Sequence, residues 1–131
     1  MIRLLKRAGE FAIPTNKGDL RNFWIAAIGI RHDGVVVIAR NGAVSDSDDE
    51  NYQLIPTAHA EGRVLRKLGK GGTVYVSRIA KKDGKFAMSR PCPTCQTRLR
   101  SLDVKRVFYT INNNQYGIWL PKKDQDKVFN V

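Results

Sequence analysis

The chain has 131 residues, enough for one compact domain spanning 1–131 and little more. Hydrophobic residues make up 42% and charged residues 27%, a globular balance that excludes wholesale disorder. Lys and Arg number 23 against 12 Asp and Glu, a formal net charge of +11, so acidic partners such as phosphates come first to mind.

In chain order, residues 2–9 suit a short amphipathic helix that ends at Gly9 or soon after. Arg3, Lys6 and Arg7 interrupt it early, so no apolar signal region is expected. Residues 14–19 read as loop. Residues 23–31 and 35–40 are β-rich, and His32-Asp33-Gly34 between them carries the signal of a tight turn, which predicts an antiparallel hairpin with His32 exposed in the turn. The apolar stretch at 24–30 is the longest in the chain and far below the ~20 residues that a membrane span requires. Asn41-Gly42 opens a long polar loop to Pro56. The acidic run at 45–50 belongs to an exposed part of that loop.

A helix is predicted over 57–68, stopped by Gly69, Gly71 and Gly72, then a strand over 73–79 and a turn at 82–85. A second central helix is predicted over 91–102, with Cys92 near its cap and Pro93 at its first position. Strands at 105–111 and 116–120 flank a polar turn too short for a crossover helix, so they should be antiparallel neighbours. The resulting fold class is α/β: a three-layer-type sandwich with a five-stranded mixed sheet, helices packed on it, and the last two strands antiparallel.

Positive charge concentrates in one segment. Residues 63–106 hold 13 Lys and Arg against Asp83 and Asp103, while the remainder is balanced. This segment either lies solvated on helix faces or attracts a phosphate-bearing ligand.

On a helical wheel Ala60, Val64, Leu65 and Leu68 share one face, and Glu61 falls in the middle of it. A carboxylate there either stabilises the helix N-terminus or has a partner and a task. Cys92, Cys95, Leu99 and Leu102 form one stripe on the second helix, so both thiols face inward at a helix start, where thiolate is favoured. Cys-x-x-Cys at that place reads as a metal site, a redox dithiol or two small buried hydrophobes. A cytoplasmic setting with reduced thiols fits two such cysteines better than a disulfide-stapled secreted fold. Adding His59 gives one nitrogen and two sulfurs, a set suited to tetrahedral zinc with one position open, the catalytic pattern. Glu61 then stands two residues from a ligand, placed for general acid–base work beside an activated water.

His59-Ala60-Glu61, followed after residues 62–90 by Pro91-Cys92-Pro93-Thr94-Cys95, resembles the signature of the zinc-dependent cytidine and deoxycytidylate deaminase superfamily, in which the glutamate is not a ligand. The order strand, strand, helix, strand, helix, strand, strand is similar to that family too. The resemblance implies that His59, Cys92 and Cys95 bind one Zn2+ and that Glu61 moves the protons. It implies that the backbone at Ala60 contacts the base, that a carbonyl near Ser89 receives the leaving amine, and that Asn41 contacts the sugar.

The family's nucleoside enzymes usually carry a glutamate where this chain has 38–42, Ile-Ala-Arg-Asn-Gly, and Arg-Gln where it has Gln96-Thr97. The antiparallel end, by contrast, resembles that nucleoside group. The leading expectation is deamination of cytosine to uracil in a small nucleotide, deoxycytidylate first and cytidine or deoxycytidine next, with Arg90, Arg40 and Arg63 as phosphate candidates. The alternatives are deamination within single-stranded DNA or RNA, using Tyr75, Phe86, Tyr116 and Trp119 as stacking surfaces, and a zinc-stabilised nucleic-acid-binding module without activity. By analogy with the family a homo-oligomer is expected; no membrane partner is.

Overall fold

The structure, a computed structural model, describes residues 2–13, 23–40 and 60–131, without the side chains of residues 60–63. The expected loops at 14–19 and 41–56, the acidic run, Asn41 and His59 lie outside the described residues, as do the side chains of Ala60, Glu61 and Arg63. The elements are α1 (Arg3–Ala12), β1 (Phe23–Ile30), β2 (Val36–Arg40), α2 (Ala60–Leu68), β3 (Thr73–Ala80), β4 (Phe86–Ala87), α3 (Pro93–Ser101), β5 (Arg106–Asn112), β6 (Gln115–Leu120) and β7 (Gln125–Asn130).

The β1–β2 hairpin forms where the Asp-Gly signal placed it, antiparallel with Ile28 opposite Ile38. Asp33 accepts a hydrogen bond from the Val35 N–H and pairs with Arg31, so the turn is closed by its own side chains. The strands run in the order β2-β1-β3-β5-β6-β7, with β4 added to β3. Of these pairings β3–β5 is parallel, as a helical crossover through α3 permits, and β5–β6 is the expected antiparallel pair.

The expectation of five strands needs correction: among the described residues the sheet has seven. Neither addition carries a sequence period. β4 is two residues long, and every residue of β7 is exposed, so no apolar alternation marks it.

Helices cover both faces, which gives the three layers. β1 sends Ala26 towards α1, where it packs with Ala12 and Ile79, and Ala27 to the other side, into the larger core of Val64, Leu65, Leu68, Val74, Val76, Leu99, Val107 and Trp119. That larger core lies under α2 and α3, which also touch each other. Val64, Leu65 and Leu68 are buried and Arg66 and Lys67 exposed, as the helical wheel requires.

The first helix runs past its expected end. Gly9 sits inside α1, buried against Phe86; a Cβ there would stand 2.6 Å from Phe86 Cε1. The glycine is a point of close approach to the sheet, not a helix stop. Ser77 of β3 donates to the Leu5 carbonyl and fixes the helix on this face. No described helix is long and apolar enough to cross a membrane.

Candidate active site

Parallel strands β3 and β5 pair from Thr73 opposite Arg106 to Val76 opposite Tyr109 and then part at their carboxyl ends. The chain between β3 and α3 enters the gap. Phe86 and Ala87 pair with β3, and the Ser89 N–H donates to the Thr110 carbonyl of β5 at 2.9 Å. The carboxyl end of parallel strands is where sheets of this kind open a crevice for ligands.

Two buried hydroxyls hold the gap at a fixed width. Ser89 Oγ donates to the Val76 carbonyl at 2.8 Å and accepts from the Thr110 N–H at 2.7 Å. Thr110 Oγ1 donates to the Ala87 carbonyl at 2.7 Å and accepts from the Arg78 N–H at 3.2 Å. Ser89 and Thr110 are 6% and 0% exposed, so each hydroxyl replaces ladder bonds that the diverging strands no longer make. The expected role of Ser89 is carried by its carbonyl; the structure shows the N–H and hydroxyl of the same residue tied to β3 and β5. The part played by Thr110 has no sequence signal, since a threonine in a strand carries none of its own.

Three residues further on, α3 begins. Cys92 is its N-cap and Pro93 its first residue. The proline forces the residue before it into extended geometry, and Cys92 has φ −68° and ψ 163°. The Gln96 N–H donates to the Cys92 carbonyl and Gln96 Nε2 to the Pro91 carbonyl, which closes the first turn. Cys95 is fully buried beside Leu99, and Cys92 is half-buried, so the inward stripe is as expected.

The two sulfurs are thiols on the first turn of one helix and form no disulfide. Two sulfurs three residues apart at a helix start suit a zinc ion's preference for Cys ligands. Among the described residues no group of three His, Cys, Asp or Glu converges on a metal position. His59 lies outside them. It directly precedes α2, whose second residue is Glu61, on the same side of the sheet as α3.

Arg90 stands two residues before Cys92 and is claimed by a carboxylate that sequence reasoning missed. Its Nε and Nη2 donate to Asp126 of β7 at 2.9 and 2.8 Å. Tyr109 Oη donates to the same carboxylate at 2.5 Å. The Arg90 hydrogen bond, with help from Tyr109, holds the Asp126 carboxyl below its ordinary range. Burial, then the Asp126 carboxylate, raises the Tyr109 phenol to about 12.

A second pair lies alongside: Arg100 meets Asp124 at 3.0 Å, and Asp124 accepts from Trp119 Nε1. Both guanidinium groups stand within 6 Å of the Trp119 ring centroid, at 5.7 Å for Arg90 and 5.3 Å for Arg100. No spacing rule links Arg90 to a residue in a strand without apolar alternation.

Other expected residues go elsewhere. Arg40 lies over the Phe11 ring of α1, on the sheet face opposite α3, so it is not brought to the cysteines. Trp119 is fully buried, Tyr75 stacks on Phe108, and Phe86 packs on Gly9; Tyr116, half-buried, stacks on the exposed Phe129.

No curated protein sequence matches the chain. A family model described as the cytidine and deoxycytidylate deaminase zinc-binding region matches residues 3–111, a span that holds both halves of the histidine–cysteine motif and stops within β5.

Proposed function

The chain belongs to the cytidine and deoxycytidylate deaminase family, and on that premise we propose that it converts cytosine to uracil by hydrolysis in a small nucleotide, deoxycytidylate before cytidine or deoxycytidine. The family membership makes it a zinc-binding hydrolase of the deaminase type. The observation that supports the site is the opening of α3 by Cys92 and Cys95 at the carboxyl ends of β3 and β5, in the layer shared with α2.

In this reading His59, Cys92 and Cys95 hold one Zn2+. When bound, the metal supplies Lewis acidity that makes water a nucleophile near neutral pH. Glu61 takes a proton from that water, delivers it to the ring nitrogen next to the attacked carbon, and then assists the departing amine. The balance is one water consumed, the exocyclic C–N bond broken, a C=O bond formed and one ammonia released. The Ser89 carbonyl accepts from the leaving amine, and the Ser89–Thr110 bonds keep the residue that carries it at the strand ends. Ala60 leaves room for the base, and Asn41 contacts the sugar.

Arg90 remains the phosphate candidate nearest the cysteines, in competition with Asp126 for its guanidinium. A nucleoside substrate is the second reading, favoured by the antiparallel β5–β6 pair, which resembles the nucleoside branch of the family. Polynucleotide deamination loses support from the burial of Trp119 and the mutual stacking of Tyr75 and Phe108. A cytoplasmic setting that keeps both thiols reduced, and a homo-oligomer, belong to the same proposal.

Incubation with deoxycytidylate, deoxycytidine, cytidine and a cytosine-containing oligonucleotide, with uracil product measured for each, tests the assignment. The fastest turnover is expected on deoxycytidylate; a preference for the oligonucleotide overturns the small-substrate reading.

A further inference from the structure

We propose that Asp126 is a positioning residue for the cysteine centre: by gripping Arg90 it fixes the short segment that delivers Cys92 to the start of α3. The zinc role of that centre rests on the function proposed above; the grip on Arg90 does not.

The segment has two ends to hold. Upstream, Ser89 is tied to β3 and β5 by its N–H and hydroxyl. Downstream, Cys92 caps α3. Arg90 lies between them, and its side chain is held by both oxygens of one carboxylate from a strand beyond the residues that the family model matches.

That carboxylate is itself oriented. Tyr109 reaches it from β5 by passing over Gly117 of β6, where the absence of a side chain leaves the room. The Arg90 and Asp126 side chains are 35% and 29% exposed. A pair so placed contributes little to overall stability. Its directional value is larger: a planar guanidinium held at two points has one orientation, and the backbone at Arg90 follows it. Supports of this kind around metal ligands typically affect metal affinity or activity by ~10–100-fold when removed.

The neighbouring Arg100–Asp124 pair provides the control. It joins the same β6–β7 hairpin to α3 near the helix C-terminus, at the end of the helix away from Cys92.

The test compares Asp126→Asn and Asp124→Asn in the full chain with the parent, after confirming folding by circular dichroism. In zinc-free protein the rate of Cys92 alkylation, mapped by mass spectrometry, should rise about tenfold in Asp126→Asn and stay within about twofold in Asp124→Asn. In zinc-loaded protein Asp126→Asn should lose metal to a competing chelator about tenfold faster, with a lower kcat and little change in KM for deoxycytidine, which carries no phosphate for Arg90 to meet. Unchanged Cys92 labelling in Asp126→Asn, or an equal rise in Asp124→Asn, overturns the proposal. A parent that holds no zinc contradicts the proposed function instead, and the alkylation comparison still decides the positioning role.

Discussion

The Tyr109 ring lies across Gly117 so closely that a Cβ on the glycine would fall within 2.6 Å of Tyr109 Cε2. This crossing lets a side chain from β5 pass over β6 and reach Asp126 on β7. Gly117→Ala should therefore destabilise the protein by ~1–3 kcal/mol through overpacking and displace Tyr109 from Asp126. Urea unfolding measures the first effect. Tyr109→Phe, which keeps the ring and loses the hydroxyl, should cost less, ~1 kcal/mol.

Ser89→Ala removes the acceptor of the buried Thr110 N–H and the donor to the Val76 carbonyl. Two buried backbone groups lose a partner, for an expected loss of ~1–3 kcal/mol in denaturant unfolding. Turnover should fall with it, because the Ser89 carbonyl is no longer held in place. Ser101→Ala, at an exposed hydroxyl bonded within α3, should have little effect on either quantity.

The Asp126 cluster sets a pH window. The carboxyl titrates lower in the folded chain than its ordinary 3.8, so its contribution is present above that value and is lost as pH falls through the depressed pKa. The Tyr109 phenol is raised from 10.0 to about 12, so its contribution is present below 10.0 and is lost as pH rises towards 12. The stability conferred by the cluster should be flat from pH 5 to pH 9 and fall on both sides. Comparing the parent in urea across pH with Asp126→Asn isolates the acid limb and with Tyr109→Phe the alkaline limb.

Much of the frame was legible because local chemistry and burial agree. Asp33-Gly34 announces the hairpin, Cys92-Pro93 the start of α3, and the four-residue step from Cys95 to Leu99 its buried stripe. What escaped depends on tertiary contact. Gly9 reads as a helix stop until Phe86 is seen against it. β7 shows no period because none of its residues is buried, so its hydrogen bonds to β6 and the Asp126 side chain define it. Asp126 and Thr110 meet the cysteine segment across 36 and 21 residues, distances at which no motif operates. His59, Asn41 and the Glu61 side chain lie outside the described residues, so their place in the site rests on the motif and the family.

Zinc dependence has its own signature. Dialysis against a strong chelator should abolish turnover, and zinc should restore it. Cys92→Ser and Cys95→Ser should each lower zinc content. Cys95→Ser should also lower stability, because its hydroxyl replaces a fully buried sulfur.

Uracil formation from deoxycytidylate by Glu61→Gln, with its zinc content matched to that of the parent, bears most directly on the assigned chemistry. The account predicts that the variant folds and keeps its metal while turnover falls ~10²–10⁴-fold, the share that a positioned acid–base group commonly supplies. Parent-like turnover by the zinc-loaded variant would contradict it.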